Sequence, residues 1–209
     1  MQIAIIGAGN VGKALGQRLA MAGHETIYGV RDPAKDYGVP SASVRDVRSA
    51  SAAAVILLST PWNATEQACR ALGPVQGKII VDCTNPLGMT QQGLGLVVGH
   101  VTSGGEMVAG WCPGAFVFKT FNQTGYEIMA DPGRYQPTPV MFVAGDDAGR
   151  KPTVLALVRD VGFEAADAGP LSSARLLEPF AMVWIDQVLK RGADRNFAFA
   201  LSRPGVAKT

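Results

Sequence analysis

The stretch Met1-Gln-Ile-Ala-Ile-Ile-Gly7-Ala8-Gly9-Asn10-Val11-Gly12-Lys-Ala-Leu15 decides the fold. An apolar run short enough for one buried strand enters a G-x-G-x-x-G turn, and Val11, Leu15 and Leu19 then recur at helical spacing. The order is strand, glycine turn, helix. Gly7 permits the tight turn, Gly9 lets backbone approach a pyrophosphate, and Gly12 lets the helix lie close on the strand. Ala8, Asn10 and Val11 complete the turn, and the first helical turn aims its free N–H groups and positive dipole end at the same anion. The predicted fold class is α/β: a Rossmann-type, doubly wound, mostly parallel sheet that binds a dinucleotide, with a small helical part at the C-terminal end.

Working outward, Gly23-His24 ends the first helix and residues 25–30 read as the second strand. The residues after that strand select the cofactor, because a carboxylate there accepts the ribose 2′-OH of NAD whereas the 2′-phosphate of NADP needs cations. The sequence reads Gly29-Val30-Arg31-Asp32-Pro33-Ala34-Lys35. Arg31 offers a planar fork for phosphate and Lys35 a point charge. Asp32 is the competing sign for NAD, but it precedes a proline, where Asp commonly starts a turn. NADP(H) is therefore the expected cofactor.

A continuous apolar run at residues 53–58, the pattern of a strand covered on both faces, ends in Ser59-Thr60-Pro61-Trp62. Ligands of doubly wound sheets lie at the carboxyl ends of strands, so Ser59, Thr60 and Pro61 are expected at the cofactor. Pro61 also reads as a helix-opening residue at the first helical position, before a helix over 64–72. Trp62 reads equally as core or as a wall of the site. The next strand, 78–82, ends in Cys83-Thr84-Asn85-Pro86; Asn85 can bond a ribose or carboxamide, or cap its own Asn-Pro turn. Residues 88–105, rich in glycine and holding His100, are expected to form a mobile acceptor-side loop. Lys119-Thr-Phe-Asn122 ends the following strand: Lys119 can pair with a carboxylate, approach a ligand or be solvated, and Asn122 is the better candidate for cofactor contact.

Strands at 138–144 and 163–166 flank a helix around 154–161. Ser172 or Ser173 is then expected to cap a helix running to about Arg191, apolar at Leu176, Leu177, Phe180, Met182, Val183, Ile185 and Leu189. So wide a stripe must be buried between elements, which points to a second subunit. Pro179 should start or kink this helix. Residues 1–166 are read as the NADP-binding domain and 167–209 as a helical segment carrying the acceptor side and the dimer contact. An apolar patch at 196–201 precedes an end, 204–209, expected to be disordered.

Composition excludes several classes. The chain has 209 residues, enough for one core, with 47% hydrophobic and 17% charged residues and a net charge of +2 without a basic cluster, which argues against nucleic-acid binding. No run approaches the ~20 apolar residues of a membrane helix, and the start lacks the pattern of a signal peptide. The protein is expected to be cytoplasmic, with no membrane partner. Cys69, Cys83 and Cys112 lack disulfide or zinc spacing, and no metal site is expected. His24 and His100 read as surface or loop residues. No Ser/His/Asp order or carboxylate pair is present, so no catalytic residue is assigned.

Taken together, Gly7-Ala-Gly-Asn-Val-Gly12, Gly29-Val-Arg31 with Lys35, Ser59-Thr-Pro-Trp62, Lys119-Thr-Phe-Asn122 and Asp167-Ala-Gly-Pro-Leu-Ser172-x-x-Arg175-Leu-x-Glu178 resemble the NADPH-dependent coenzyme F420 reductases over nearly the whole chain. The resemblance implies a homodimer and hydride transfer between NADPH and a deazaflavin. By position it places the pyrophosphate on Ala8, Gly9, Asn10 and Val11, the 2′-phosphate on Arg31 and Lys35, and the nicotinamide near Thr60 and Pro61. Val30 stands where archaeal members carry Ser, and residues 88–126 depart further. Within them Lys-Thr-Phe-Asn-x-x-Gly is similar to a segment of bacterial relatives and of membrane metalloreductases that pass hydride to a flavin. A flavin, a quinone or another small redox acceptor is thus the alternative to F420, and a non-catalytic NADP(H) sensor the second.

Overall fold

A computed structural model describes residues 1–204. In chain order the elements are β1 (Gln2–Ile6), α1 (Asn10–Met21), β2 (Glu25–Val30), β3 (Val44–Asp46), α2 (Val47–Ala50), β4 (Val55–Leu58), α3 (Trp62–Leu72), β5 (Ile79–Asp82), β6 (Leu87–Thr90), β7 (Gly93–Leu96), α4 (Gly104–Trp111), β8 (Phe116–Lys119), α5 (Tyr126–Ala130), β9 (Val140–Gly145), α6 (Lys151–Val161), β10 (Glu164–Asp167) and α7 (Ala174–Leu189). One sheet has the order β10-β9-β8-β5-β4-β1-β2-β3. From β3 across to β8 every pairing is parallel; β9 then runs antiparallel to β8, and β10 runs parallel to β9. The fold is therefore the Rossmann-like α/β architecture, with the switch in strand order between β1 and β4.

The apolar runs explain the layers. Along β1, Ile3 and Ile5 enter one core with Leu15, Leu19, Val158 and Phe163, while Ala4 and Ile6 enter the other with Leu58, Cys69 and Val108. A central parallel strand buried on both faces must be apolar at every buried position, as β4 is throughout and β1 is from Ile3 to Ile6. Burying each such Leu or Ile contributes roughly 1.5–3 kcal/mol.

Several expectations are corrected. The 88–105 segment contains a hairpin, with β6 and β7 antiparallel and Thr90 Oγ1 donating to Gly93 O at 2.8 Å across its turn, before α4 begins under a Ser103 cap. Glycine-rich alternation hid this ribbon. Pro61 occupies the N-cap of α3, with ψ of 145°, and the helix starts at Trp62. Helix α5 was not foreseen. Ser173 holds the N-cap of α7 without a side-chain capping bond, Ser172 lies in a short 3₁₀ turn, and Pro179 sits inside the helix. Nor is α7 covered all round within the chain: Leu177, Ala181 and Trp184 are buried, while Leu176, Val183 and Leu189 are exposed.

The 196–201 patch folds back onto the sheet. Phe199 O accepts from Val140 N at 2.9 Å, Phe197 O accepts from Trp184 Nε1 at 2.8 Å, and Phe199 stacks near Phe180 at 4.8 Å. Of the end expected to be disordered, residues 205–209 lie outside the described residues. No helix among the described residues is long and apolar enough to cross a membrane.

Candidate functional site

The glycine turn is assembled from three strands. Gly7 has φ of +104° and donates its N–H to Gly29 O at 3.0 Å, which ties the turn to the end of β2 two residues before Arg31. A Cβ at Gly12 would lie 2.1 Å from Gly7 O, so the helix can approach only without a side chain there. At Gly9 a Cβ would meet no protein atom within 4 Å, and the N-terminus of α1 has no side-chain cap. That open cradle of uncapped N–H groups at Asn10, Val11 and Gly12 fits an anionic diphosphate.

Ser59 closes the turn from β4. Its N–H reaches Ile6 O at 3.0 Å, and its hydroxyl donates toward Gly7 O and Ile6 O at 3.0 and 3.1 Å. The Ser59 hydroxyl thus supports the turn. Thr60 follows, its Oγ1 3.0 Å from Thr65 Oγ1, and Pro61 is exposed. Trp62 is half-buried with its ring 5.4 Å from that of Trp111, and its edge lies against Gly104.

Beyond β2, Arg31 and Lys35 are exposed, and neither the guanidinium nor the ammonium has a hydrogen-bond or ion-pair partner among the described residues; only the Lys35 backbone N–H is engaged, donating to Asp32 O at 3.2 Å. Lys35 Nζ lies 5.7 Å from the Tyr37 ring centroid. Asp32 Oδ1 accepts from Ala34 N at 3.1 Å, the local turn expected of Asp-Pro. A hollow of about 190 Å³ opens among Pro33, Lys35, Tyr37, Val39 and Val44.

The ends of β5 and β8 are built differently. Lys119 is fully buried, its Nζ 2.8 Å from Asp82 Oδ2, 2.9 Å from Glu178 Oε1 and 2.6 Å from Thr84 O. Burial alone would push the ammonium down, but the Asp82 and Glu178 carboxylates outweigh it and hold Lys119 above the ordinary lysine value. Of the readings of Lys119, pairing with a carboxylate is borne out and solvation is overturned, and its ammonium is locked in an ion triad. Asp82 Oδ1 also accepts from Thr84 N and Oγ1 at 2.9 and 2.7 Å. Glu178 accepts from Gly104 N and Gly105 N at 2.9 and 3.0 Å, so the first turn of α4 caps on a carboxylate from α7.

An amide chain runs alongside. Asn122 Nδ2 donates to Asn85 Oδ1 and Leu177 O, both at 3.1 Å, and Asn122 Oδ1 accepts from Gln123 Nε2 at 3.0 Å. Asn85 Nδ2 donates to Asn122 O at 2.8 Å, so Asn85 bridges two strand ends. The Asn122 amide, 3% exposed, is committed to protein partners, whereas Asn85 is half-buried. Phe121 between them has φ of +57°, a left-handed conformation that costs a bulky residue about 1–3 kcal/mol. Its ring, 1% exposed and 6.4 Å from that of Phe163, holds it there.

Asp82 and Gln123 escape a reading of local motifs, and Glu178, though part of the Asp167–Glu178 segment, is given no role by it. The available signals were an Asp closing the otherwise apolar run Ile79-Ile-Val-Asp82, and a Glu on the same helix face as Ala174, Leu177 and Ala181. His100 is exposed, and His24 pairs with Asp160 at 2.9 Å, beside the amino end of β2 and away from the site. Burial raises the Cys83 thiol out of the reactive range. Among the described residues no group of His, Cys, Asp or Glu could hold a metal ion.

A glycine cradle at the switch point with free cations beyond the second strand defines a nicotinamide-dinucleotide oxidoreductase scaffold. Residues 2–86 match the family described as NADP oxidoreductase, coenzyme F420-dependent. A solved structure from Arthrobacter sp. FB24, ascribed to the F420-dependent NADP reductases, is 31% identical and superposes with a TM-score of 0.87 over 97% of this chain and 100% of that one. A hypothetical protein of Sinorhizobium meliloti is 28% identical, with a TM-score of 0.74 over 85% of this chain and 90% of that one. The chain belongs to the coenzyme F420-dependent NADP oxidoreductase family. It is also 28% identical over 183 residues to metalloreductase STEAP3 of Rattus norvegicus, covering 85% of this chain and 36% of the relative, about a third of whose length it spans.

Proposed function

We propose that the protein transfers a hydride between NADPH and a deazaflavin of the F420 class. Gly7 to Gly12 would hold the pyrophosphate on the uncapped N-terminus of α1, Arg31 and Lys35 the 2′-phosphate, and Thr60 and Pro61 the edge of the nicotinamide, with Asn85 the remaining polar group within reach. The observation that carries the NADP part is the contrast at the end of β2: the carboxylate of Asp32 is occupied by its own turn, while Arg31 and Lys35 are unpaired among the described residues. With Lys119 sequestered, no exposed acid–base pair stands at the strand ends among the described residues. Hydride transfer between two rings suits such a site, because the cofactors supply the chemistry and the protein aligns them and excludes water.

The likeness to a metalloreductase across 85% of the chain favours a second reading, in which a flavin or another acceptor takes the place of F420 on the same scaffold. Stopped-flow oxidation of NADPH against F420, FMN and FAD separates the two. Fast single-turnover reduction of F420 is expected; reduction of a flavin alone would install the second reading. Binding of NADP(H) without turnover on any acceptor would leave a redox sensor.

We also propose a cytoplasmic homodimer joined through the exposed Leu176, Val183 and Leu189 of α7, in the segment that follows the 1–166 domain. Sedimentation at micromolar concentration should give twice the chain mass, and Val183→Glu should halve it.

A further inference from the structure

The Asp82–Lys119–Glu178 triad carries charge that the fold alone does not require. Both carboxyl groups face only donors: Lys119 Nζ, Thr84 N and Thr84 Oγ1 for Asp82, and Lys119 Nζ, Gly104 N and Gly105 N for Glu178. That is the partner set of ionised, acceptor-only groups. With one ammonium between two carboxylates, the cluster has a net charge of −1, and all three side chains are at most 1% exposed. Replacing buried ion pairs by apolar groups is often neutral or stabilising, so an unbalanced triad needs a reason besides stability.

Its position supplies one. Asp82 is the register partner of Leu58, the last residue of β4, and Lys119 is the register partner of Asp82. Adjacent strands lie about 4.8 Å apart, which sets the anionic cluster one strand over from the Ser59-Thr60-Pro61 turn at the switch point. The nicotinamide ring is neutral in NADPH and carries a positive charge in NADP⁺. Oxidation breaks the C4–H bond, and one proton with two electrons leaves as hydride to the acceptor, so a charge of +1 develops on the ring.

We infer that Asp82, Lys119 and Glu178 together are a positioning and electrostatic element that stabilises the oxidised, cationic nicotinamide relative to the reduced one and so biases the site toward hydride donation. The inference rests on the proposed binding of NADP(H) across the glycine turn. The cluster is dry, so salt screens it weakly, and the positive end of α4 and the ammonium offset part of it.

The test is the ratio of NADP⁺ to NADPH dissociation constants, measured by titration without any acceptor. Glu178→Gln makes the cluster neutral and keeps its volume; the ratio should rise on the order of fivefold, NADP⁺ losing affinity relative to NADPH. Asp82→Asn, on a different element, should move it the same way and serves if the first variant does not fold. Adding Lys119→Met to Glu178→Gln restores a net charge of −1 and should return the ratio toward that of the unaltered protein. Damage to packing would weaken both redox forms alike and leave the ratio still. An unmoved ratio, or a double variant no closer to the starting value, overturns the inference while leaving NADP(H) binding intact. Absence of binding by either form in the unaltered protein removes the underlying functional reading as well.

Discussion

The two sides of the sheet's carboxyl edge solve the same problem with different parts. On one side, from Gly7 to Arg31, the site is made of backbone: glycines, uncapped N–H groups and cations left in solvent. On the other, from Asp82 through Asn122 to Glu178, it is made of side chains bound to one another. The first half uses residues within about 25 positions of each other, and the second joins residues 37 and 55 apart in single hydrogen bonds. A half that must receive a large anion keeps its donors free. A half that must hold a helix over the strand ends uses its donors internally.

The largest effect expected from breaking this contrast is at Lys119. Lys119→Met leaves Asp82 and Glu178 buried without their shared cation, and removing one partner of a buried ion pair costs about 3–5 kcal/mol. Urea unfolding should show that loss. A change below about 1 kcal/mol would mean that the half built of side chains is held by packing alone, and the distinction between the halves would fail.

Next comes Arg31, where the effect should fall on binding and spare stability. On the proposed binding mode Arg31→Ala would remove a charge-assisted contact to the 2′-phosphate, which corresponds to about 10–100-fold in NADPH affinity. NADH, lacking that phosphate, should be little affected. Equal losses for the two dinucleotides would take the 2′-phosphate away from this end of β2.

Ser59 tests the border between the halves. Its hydroxyl supports the carbonyls of Ile6 and Gly7, so Ser59→Ala should lower stability by about 1 kcal/mol and weaken NADP⁺ and NADPH in parallel through the loosened turn. A loss confined to one redox form would make Ser59 a direct partner of the nicotinamide.

These cases also show what the chain discloses before folding. The turn was legible because its demands are local: the positive φ of Gly7 and the close approach at Gly12 fall in one short segment, and the strand before them is apolar from Ile3 to Ile6. Asp32 could be discounted as an NAD ligand because the following proline advertises a turn, and the turn is there. Lys119, by contrast, has partners on β5 and α7 that no spacing rule connects, so the sequence leaves pairing with a carboxylate, contact with a ligand and solvation open, and only the fold selects the first. Asn122 reads from sequence as a cofactor contact, whereas its amide is taken up by Asn85, Leu177 and Gln123, and the first two of these meet it only after the sheet has formed. The hairpin of β6 and β7 was hidden for a different reason. Its apolar residues Leu87, Met89, Leu94 and Leu96 alternate with glycine or threonine and none is β-branched, so the run reads as a loop, and cross-strand pairing decides it.

The smallest effect belongs to the contact that ties α7 to α4 at the surface. Arg175 donates to Glu106 at 2.9 and 2.5 Å, and this hydrogen bond, with help from Ser103, holds the Glu106 carboxyl below its ordinary value of 4.5. A depressed carboxyl contributes stability that is present above the unfolded value and lost as the pH falls through the folded one. Glu106→Gln should therefore lower the urea midpoint slightly at neutral pH, and its curve should converge with that of the unaltered protein as the pH drops below 4.5. Solvent reaches both side chains, so screening keeps the difference well under that of Lys119→Met, and added salt should shrink it further. The same comparison on Lys119→Met should prove insensitive to salt, because water does not reach the triad. If both effects responded to salt alike, the buried cluster would be exposed in solution and α7 would not be seated over the strand ends as described.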